Sequence, residues 1–251
     1  MSERFLENPN LPKNKVKTVF ANIDDNALKC VFNELAIKVV NVTENPLLDP
    51  PVSKHGDILA NYVGKSTFLA DKNQVDLCKF IKDNGGKSII IENIKSPYPN
   101  DCLLNFADIG DYIICNKSIL TEDIAEILPD KPIIDVKQGY SKCSVCICSR
   151  NTIITDDKSV FNAVSRYDNI KSLLIEKGTV RINKYDYGFI GGCSGLIDKN
   201  TLLFNGDLLF HSDFDKIKKF LYDNGINYID IKGKPLIDIG SIIPIMETDG
   251  D

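Results

Sequence analysis

Short apolar runs alternate along the chain with segments in which apolar residues recur every three or four positions. The short runs are typical of buried strands, and the longer spacing is typical of one face of an amphipathic helix. Four short runs begin with Thr and end with Asp or Asn, at 18–22, 67–71, 152–156 and 201–205. A predicted helix follows each of them, at 24–35, 74–84, 158–166 and 212–224. A further apolar strand follows each helix, at 37–42, 87–91, 171–175 and 227–231.

Three of the Thr runs are also preceded by a predicted strand and a tight turn. These preceding strands are predicted at 57–63, 144–148 and 194–197. Two strands joined by a tight polar turn predict an antiparallel hairpin. A weaker copy of the whole pattern fills the middle of the chain, with strands at 103–107, 112–115 and 132–136 and a helix at 121–128. The pattern therefore indicates four complete β-β-α-β units.

A fifth unit is split between the two ends of the chain. The apolar runs 236–239 and 242–245 lack a following helix, and the first Thr run lacks a preceding hairpin strand. The first residues of the five second strands are separated by 49, 45, 40 and 49 residues, which indicates an internal repeat. We therefore expect one α/β domain over 1–251, closed into a ring by its terminal segments, with 1–16 as an extended N-terminal segment. The alternative is an ordinary α/β chain with accidental similarity between segments.

Charge and hydropathy narrow the possible partners. The net charge of −5 and the pI near 5.2 argue against binding of nucleic acid or anionic lipid by bulk electrostatics. The chain has no apolar run long enough to span a bilayer, and its first 17 residues lack the apolar core of a signal peptide. We expect a cytoplasmic protein that does not bind membranes.

The eight cysteines are scattered through predicted strands and helices, so free thiols are expected rather than disulfides. Cys143, Cys146 and Cys148 invite comparison with half of a zinc site, but no second Cys/His pair follows at a suitable spacing. In a strand, moreover, Cys146 and Cys148 face one side and Cys143 faces the other or precedes the strand. We predict no metal.

The five-unit pattern resembles the pentein fold of guanidino-modifying enzymes, a pseudo-fivefold propeller of ββαβ units. The resemblance covers nearly the whole chain. Its sharpest local match is His55-Gly56-Asp57, followed by a strand, a turn and Thr67. This segment is similar to the His-x-Asp strand-turn-strand segment of arginine deiminases and amidinotransferases.

The resemblance implies a Cys thiolate that attacks a guanidinium carbon, a His that transfers protons, and carboxylates that hold the guanidinium nitrogens. These residue types suit a planar cation with several N–H donors and an unreactive carbon. His55 is then the general acid/base and Asp57 a substrate-binding carboxylate. The family's Cys normally lies in a Gly-rich segment near the C-terminus, but the matching stretch 238–244 has none. Either Ser241 or Gly240 takes its place, or another unit supplies the thiol.

Two other cysteines are candidates for that thiol. Cys193 and Cys143 each precede a Ser, at eight and nine residues before their Thr runs, whereas His55 lies twelve before its own. Cys193 and the adjacent Gly192 and Ser194 belong to a Gly-rich loop whose backbone N–H groups would suit an anion or a developing negative charge. The same glycines would equally serve a tight turn that enters a strand. We rank Cys193 slightly ahead of Cys143.

The remaining polar candidates are weaker. Asp207 and Asp238 are candidate binding carboxylates, although an Asp in a turn commonly bonds its own backbone. His211 directly precedes a predicted helix and is expected at its N-terminal boundary. The chain contains neither a phosphate-binding loop nor a dinucleotide fingerprint, so we predict no cofactor.

Two classes of function remain open from the sequence. The first is an enzyme, either a hydrolase or an amidinotransferase, that acts on a guanidino or amidine-type small molecule through a Cys nucleophile. The second is a non-catalytic protein that binds the ribosome or a small molecule, since the resemblance extends to a ribosome anti-association factor with the same five-unit ring. The missing C-terminal Cys favours the second class. An acidic pocket that holds a thiol beside His55 would favour the first.

Overall fold

The computed structural model of the protein describes residues 2–250. In this range the chain forms sixteen strands and seven α-helices, with a 3₁₀ helix at Leu208–Phe210. The strands are β1 (Glu3–Phe5), β2 (Val16–Ala21), β3 (Lys38–Asn41), β4 (Ala60–Gly64), β5 (Thr67–Asp71), β6 (Lys87–Ile91), β7 (Ala107–Asp108), β8 (Ile113–Cys115), β9 (Ile133–Asp135), β10 (Val145–Ser149), β11 (Thr152–Thr155), β12 (Lys171–Leu174), β13 (Ser194–Asp198), β14 (Thr201–Phe204), β15 (Asn227–Asp230) and β16 (Ile243–Thr248). The helices are α1 (Asn26–Glu34), α2 (Gly56–Leu59), α3 (Val75–Asp83), α4 (Glu122–Ile127), α5 (Ser141–Ser144), α6 (Lys158–Val164) and α7 (Phe214–Asp223).

The strands form five small sheets, four of which share one pattern. In each of these four, the first strand is antiparallel to the second, and the second is parallel to the third. A helix lies between the second and third strands in sequence, because parallel neighbours need a crossover connection. The four sheets are β4-β5-β6, β7-β8-β9, β10-β11-β12 and β13-β14-β15. The mixed α/β architecture with small sheets is thus confirmed.

The fifth sheet joins the two ends of the chain. Its strand order is β1-β16-β2-β3, so that the C-terminal strand lies between two N-terminal ones. The buried Glu247 carboxylate accepts hydrogen bonds from the backbone N–H groups of Lys13 and Asn14 at 2.6 and 2.8 Å, and it pairs with Arg4 at 3.3 Å. Within the segment 1–16 that was expected to be extended, residues 3–5 form a short strand that pairs with β16, and residues 13 and 14 bond Glu247 of the same strand.

The longer helices each bury one apolar stripe. Helix α3 buries Leu77 and Ile81, and α7 buries Ile217 and Leu221, four residues apart in each case. Full burial of one such side chain contributes about 1.5–3 kcal/mol. No helix within residues 2–250 has the length and apolar character needed to cross a membrane.

Two first strands begin later than their apolar runs indicate. Asp57 lies in α2 and Ser144 in α5, and β4 and β10 begin only after these single helical turns. Every side chain in both turns is buried, so the sequence lacks the polar–apolar alternation that separates a strand from a helix. The segment 236–239, expected as a strand, is a loop with one isolated bridge to Arg181.

Candidate functional site

A cavity of about 480 Å³ contains three of the predicted site residues. His55, Cys143 and Asp238 form its floor and are only 3%, 2% and 5% exposed. The remaining lining residues are Asp49, Val52, Ile58, Pro97, Tyr98, Asp101, Tyr140, Ile182, Tyr185, Asp186, Tyr187, Gly188 and Phe189. The lining combines aromatic rings with carboxylates, and no Lys or Arg of residues 2–250 belongs to it.

Two short helical turns bring a thiol, an imidazole and a carboxylate together at this floor. His55 directly precedes α2, Asp57 lies within α2, and Cys143 lies within α5. One ligand atom from each of the three lies within 4.8 Å of the other two. The Cys143 Sγ atom is 3.0 Å from both carboxylate oxygens of Asp57, so the thiol can donate to either. Asp57 is fully buried and does not itself line the cavity.

Close approach of the backbone fixes this position of His55. The backbone N–H of Asp57 donates to the carbonyl oxygen of Gly240 at 3.0 Å. Gly240 has φ +76°, and a Cβ atom there would lie 2.3 Å from the His55 Cα. Only glycine fits at 240, since any side chain would collide with His55 and would also be strained at this φ. The segment 238–244 therefore supports the site through Gly240 without supplying a thiol.

Asn105 connects the two short helical turns α2 and α5 and was not predicted from the sequence. Its side-chain amide donates to the backbone carbonyl of Asp57 at 3.1 Å and to the Cys143 Sγ at 3.4 Å. Its carbonyl oxygen accepts from the backbone N–H groups of Lys142 and Cys143 at 2.8 and 3.1 Å. A buried Asn with all these bonds holds the thiol in a fixed orientation. The only sequence signal was its place in the weak first strand of the second unit.

Ser241 and Lys142 form a buried polar relay behind Asp57. The Ser241 hydroxyl donates to Asp57 Oδ2 at 2.6 Å, and the Lys142 ammonium donates to Ser241 Oγ at 3.1 Å. Ser241 is fully buried and Lys142 is 5% exposed, so neither lines the cavity. The relay supplies positive charge to a buried carboxylate, as burial of a charge requires. Lys142 was not predicted, because a lysine beside a predicted strand usually points to solvent.

Asp238 faces the cavity from the loop that precedes β16. Its carboxylate accepts from the backbone N–H groups of Phe189 and Gly240 at 2.9 and 3.0 Å and lies 3.7 Å from His55 Nδ1. Burial raises the pKa of Asp238 to about 6, and the two backbone hydrogen bonds oppose that rise. The Nδ1 atom of His55 has no hydrogen-bond partner among residues 2–250. The floor thus offers an unused imidazole nitrogen beside a carboxylate.

The thiol and the imidazole are both neutral at neutral pH. Burial raises the pKa of Cys143 well above its usual value, and the carboxylates of Asp57 and Asp238 raise it further. Burial lowers the pKa of His55, and the Asp57 carboxylate opposes this effect. Without a ligand, Cys143 is therefore a protonated thiol beside an unprotonated base.

The site residues that were predicted in the Gly-rich loop, Gly192, Cys193 and Ser194, do not line the cavity. Cys193 is fully buried in an apolar cluster, its thiol donates to the carbonyl of Ile190 at 3.2 Å, and burial raises its pKa. The Ser194 hydroxyl bonds the same carbonyl at 2.9 Å. The Gly192 N–H donates to the Cys143 carbonyl at 2.8 Å, so it is not free for an anion. Gly192 instead leaves room for Asp238, because a Cβ atom there would lie 2.0 Å from Asp238 Oδ1.

Asp207 and His211 also lie away from the cavity lining. The Asp207 carboxylate accepts from the backbone N–H groups of Leu209 and Gly233 at 3.0 Å each and pairs with Lys232 at 3.3 Å. His211 Nδ1 accepts from the backbone N–H of Asp213, just before α7. Nothing in the contacts of Asp207 supports the ligand-binding role expected for it, since its carboxylate bonds its own turn.

His55, Cys143 and the buried Asp57 are also residues of the types that bind metal ions. His55, Asp57 and Cys143 present a nitrogen, an oxygen and a sulfur within 4.8 Å of one another. Three such ligands with an open fourth position match the general form of a zinc site. The Cys146 and Cys148 thiols are not part of this group.

Sequence comparison places the chain in a family. A sequence profile of the Family of unknown function (DUF6873) matches residues 21–243. The chain belongs to this family. None of the curated proteins matches it in sequence.

Solved structures share the fold of this DUF6873 protein. Inosamine-phosphate amidinotransferase StrB1 from Streptomyces griseus is 10% identical, with a TM-score of 0.61 over 98% of both chains. DDAH from Pseudomonas aeruginosa in complex with citrulline is 9% identical, with a TM-score of 0.55 over 86% of this chain and 92% of that one. The substrate-bound agmatine deiminase of C. jejuni is 11% identical, with a TM-score of 0.55 over 98% and 97%. The DUF6873 protein is therefore a divergent member of the pentein fold.

Proposed function

We propose that the protein is an enzyme that modifies a guanidino or amidine-type small molecule, with Cys143 as nucleophile and His55 as general acid/base. The observation that carries the proposal is that the Cys143 thiol and the His55 imidazole lie at the floor of an acidic cavity, and that the buried Asp57 carboxylate groups with them within 4.8 Å. In this proposal the five sheets are the units of one closed ring in a single cytoplasmic domain. The cavity lies at the centre of the ring.

The charges of the floor suit a guanidinium group. Asp238 faces the cavity and can contact a bound cation directly, whereas Asp57 lies behind the thiol and attracts the cation only through its charge. The unpartnered His55 Nδ1 accepts a hydrogen bond from a ligand N–H. Both features favour a planar cation with several N–H donors over a neutral or anionic ligand.

A bound cation also activates the thiol. Positive charge next to Cys143 stabilises the thiolate and lowers its pKa, opposing the effects of burial and of the two carboxylates. His55 is unprotonated at neutral pH and can take the thiol proton. The nucleophile is therefore formed only when substrate is present, and the empty site stays unreactive.

The proposed reaction has two covalent steps. The Cys143 sulfur attacks the guanidinium carbon, a C–S bond forms, and one C–N bond breaks as His55 returns its proton to the leaving nitrogen. That nitrogen departs in the first step as ammonia or an amine. In the second step His55 deprotonates a water, whose oxygen bonds to the same carbon as the C–S bond breaks. The remaining hydroxyl proton returns to the sulfur, which gives a ureido product and a free thiol, and His55 releases its proton to the departed amine or to the solvent. In an amidinotransferase an acceptor amine replaces the water. The acceptor decides between hydrolysis and amidino transfer, because both reactions use the same residues in the first step.

Trapping the intermediate tests this function. The wild-type protein is incubated with a panel of alkylguanidines, and mass spectrometry follows both the ureido product and a covalent adduct on peptides that contain Cys143. We expect turnover by the wild type and none by Cys143→Ala, with any adduct on Cys143. Turnover that survives Cys143→Ala, or an adduct on another cysteine, would exclude this role.

A binding function without catalysis is the second candidate. Cys143 is the only thiol among residues 2–250 that lines this cavity, and burial and two carboxylates raise its pKa. A thiol that stays protonated favours binding without catalysis. In that case guanidino compounds raise the melting temperature without being consumed. The panel distinguishes the two candidates, since product forms in one case only.

A further inference from the structure

The outer half of the cavity differs in chemistry from its floor. Above the floor, the aromatic rings of Tyr98, Tyr140, Phe189 and Tyr187 follow one another with centroid separations of 5.9, 6.3 and 5.8 Å. Tyr187 and Tyr98 are 36% and 50% exposed, so this aromatic wall reaches the solvent. The wall is continuous from the rim to the interior.

Three carboxylates accompany the aromatic wall. The Tyr140 hydroxyl donates to Asp101 Oδ2 at 2.7 Å, and the Tyr185 hydroxyl donates to Asp49 Oδ2 at 3.2 Å. Asp186 is the third and lies at the exposed rim. Asp101 is only 3% exposed, and the tyrosine bonds hold two of the carboxylates in place.

These three carboxylates lack cationic partners in the described part of the chain. Asp49, Asp101 and Asp186 form no ion pair there, and no Lys or Arg lines the cavity. Asp108 is also buried, but it is paired with Lys131 at 2.6 Å. The outer half of the cavity therefore carries three carboxylates that no Lys or Arg within residues 2–250 neutralises through an ion pair.

Aromatic faces next to unpaired carboxylates bind cations. Tyr187 already binds one cation: the Lys177 ammonium lies 5.4 Å from the centroid of its ring, and Lys177 does not line the cavity. A ligand that ends in a carboxylate would meet three like charges and no basic side chain. The unpartnered, almost fully buried His55 Nδ1 below marks where the other end of such a ligand would bond.

We infer that the outer half of the cavity binds a second positive charge, so that the ligand is an alkyl chain with a guanidinium at one end and an ammonium or second guanidinium at the other. The placement of the guanidinium at the floor rests on the proposed function. A volume of about 480 Å³ accommodates such a molecule. The distal carboxylate of an amino acid is excluded.

A set of matched ligands tests the inference without turnover. Calorimetry at low salt compares 4-guanidinobutylamine, butylguanidine and 4-guanidinobutanoate, which share one chain and end in an ammonium, a methyl group and a carboxylate. We expect the amine to bind about tenfold more tightly than the methyl compound, and the carboxylate to bind most weakly. A carboxylate compound that binds as tightly as the amine overturns the inference.

Isosteric variants locate the effect. Asp101→Asn and, at the exposed rim, Asp186→Asn should each reduce the preference for the amine, whereas Asp168→Asn, an exposed turn residue outside the cavity, should leave it unchanged. Circular dichroism verifies folding of Asp101→Asn, and the rim variant remains decisive if that protein is unstable. An unchanged preference in folded Asp101→Asn and in Asp186→Asn contradicts the inference.

Failure of the inference and failure of the proposed function give different results. If the amine is preferred but no guanidine is consumed, the cation site stands and the enzyme function falls. If guanidines are consumed without any preference for the amine, the enzyme function stands and the inference falls.

Discussion

Cys143 and Cys193 occupy corresponding places in two units and differ in almost everything that surrounds them. Each is followed by a Ser: Ser144 ends α5 directly before β10, and Ser194 begins β13. Each is fully buried, and burial raises the pKa of each thiol. Residue type, position in the repeat and burial therefore do not separate them.

The neighbours of the two thiols do. Cys143 contacts Asp57 and Asn105 and opens onto a cavity that also exposes His55. Cys193 donates to a backbone carbonyl and packs in an apolar cluster. In a repeat fold, a catalytic group is thus defined by the residues that other units bring to it.

Replacement of each of the two cysteines in turn should give the largest difference in activity. We expect Cys143→Ala to lower kcat for guanidine turnover by at least about 10³-fold, because no other group can form the covalent intermediate. Cys193→Ala should keep near wild-type turnover and lose about 1–2 kcal/mol of stability from the small void. Steady-state kinetics and urea unfolding measure both. A larger loss of turnover in Cys193→Ala would reverse the assignment.

The two histidines provide a second contrast. His55→Gln should lower kcat by about 10²–10⁴-fold, because the general acid/base is lost. His211→Asn keeps an acceptor for the backbone N–H of Asp213, since its Oδ1 lies as far along the side chain as Nδ1, and should retain turnover. Equal effects of the two substitutions would show that His55 acts only through stability, which thermal melts of both variants check.

Asp156 is a buried acid whose charge raises the pKa of Cys193, and it leads to a prediction about how stability depends on pH. Burial raises the pKa of Asp156 to about 7, and its Oδ1 atom has no hydrogen-bond partner within residues 2–250. The folded protein therefore keeps, up to about pH 7, a proton that the unfolded chain releases near pH 4. The part of the free energy of unfolding that depends on this proton is fully present below pH 4 and is lost as the pH rises towards 7. Asp156→Asn should therefore be more stable than wild type by about 2–4 kcal/mol at pH 8 and similar to it at pH 4.

Urea unfolding of both proteins at several pH values measures that difference. Comparison with the wild type cancels the opposite contributions of His55 and His211, whose lowered pKa values make stability rise with pH. A constant difference between pH 4 and 8 would contradict the account of Asp156.

The smallest effect concerns the relay behind Asp57. Ser241→Ala should cost about 1–3 kcal/mol, because the buried Lys142 ammonium and Asp57 carboxylate both lose a partner. Ser194→Ala, which removes bonds to backbone carbonyls only, should cost about 1 kcal/mol or less. Equal losses in urea unfolding would mean that the relay adds nothing beyond one ordinary hydrogen bond.

The sequence predicted the repeated order of strands and helices because each unit carries its own apolar periodicity and turn. It also indicated His55, Cys143 and Asp238, which lie at the ends of recognisable segments. It missed Asn105 and Lys142, since their roles come from contacts between units that no local pattern records. Cys193 ranked above Cys143 for a related reason, as glycines that make room for Asp238 look the same in sequence as glycines that bind an anion.

The aromatic wall could not be predicted from the sequence either. Tyr98 and Tyr187 lie in connections between units, where neither period nor repeat applies. The cavity forms only when these loops, far apart in the chain, lie over the floor.

Selective thiol labelling distinguishes a Cys143 that a bound cation activates from an inert buried thiol. The protein is treated at pH 7.5 with 2-chloroacetamidine, a cationic amidine, and separately with neutral iodoacetamide, and peptide mass spectrometry gives the rate at each of the eight cysteines. Exposed Cys30 is the internal reference, and His55→Ala is the matched variant. We predict that the amidine labels Cys143 faster than Cys30, that iodoacetamide prefers Cys30, and that the His55 substitution removes the amidine preference. Preferential labelling of Cys30 by both reagents, unchanged in the variant, would contradict a thiol activated by a bound cation beside His55.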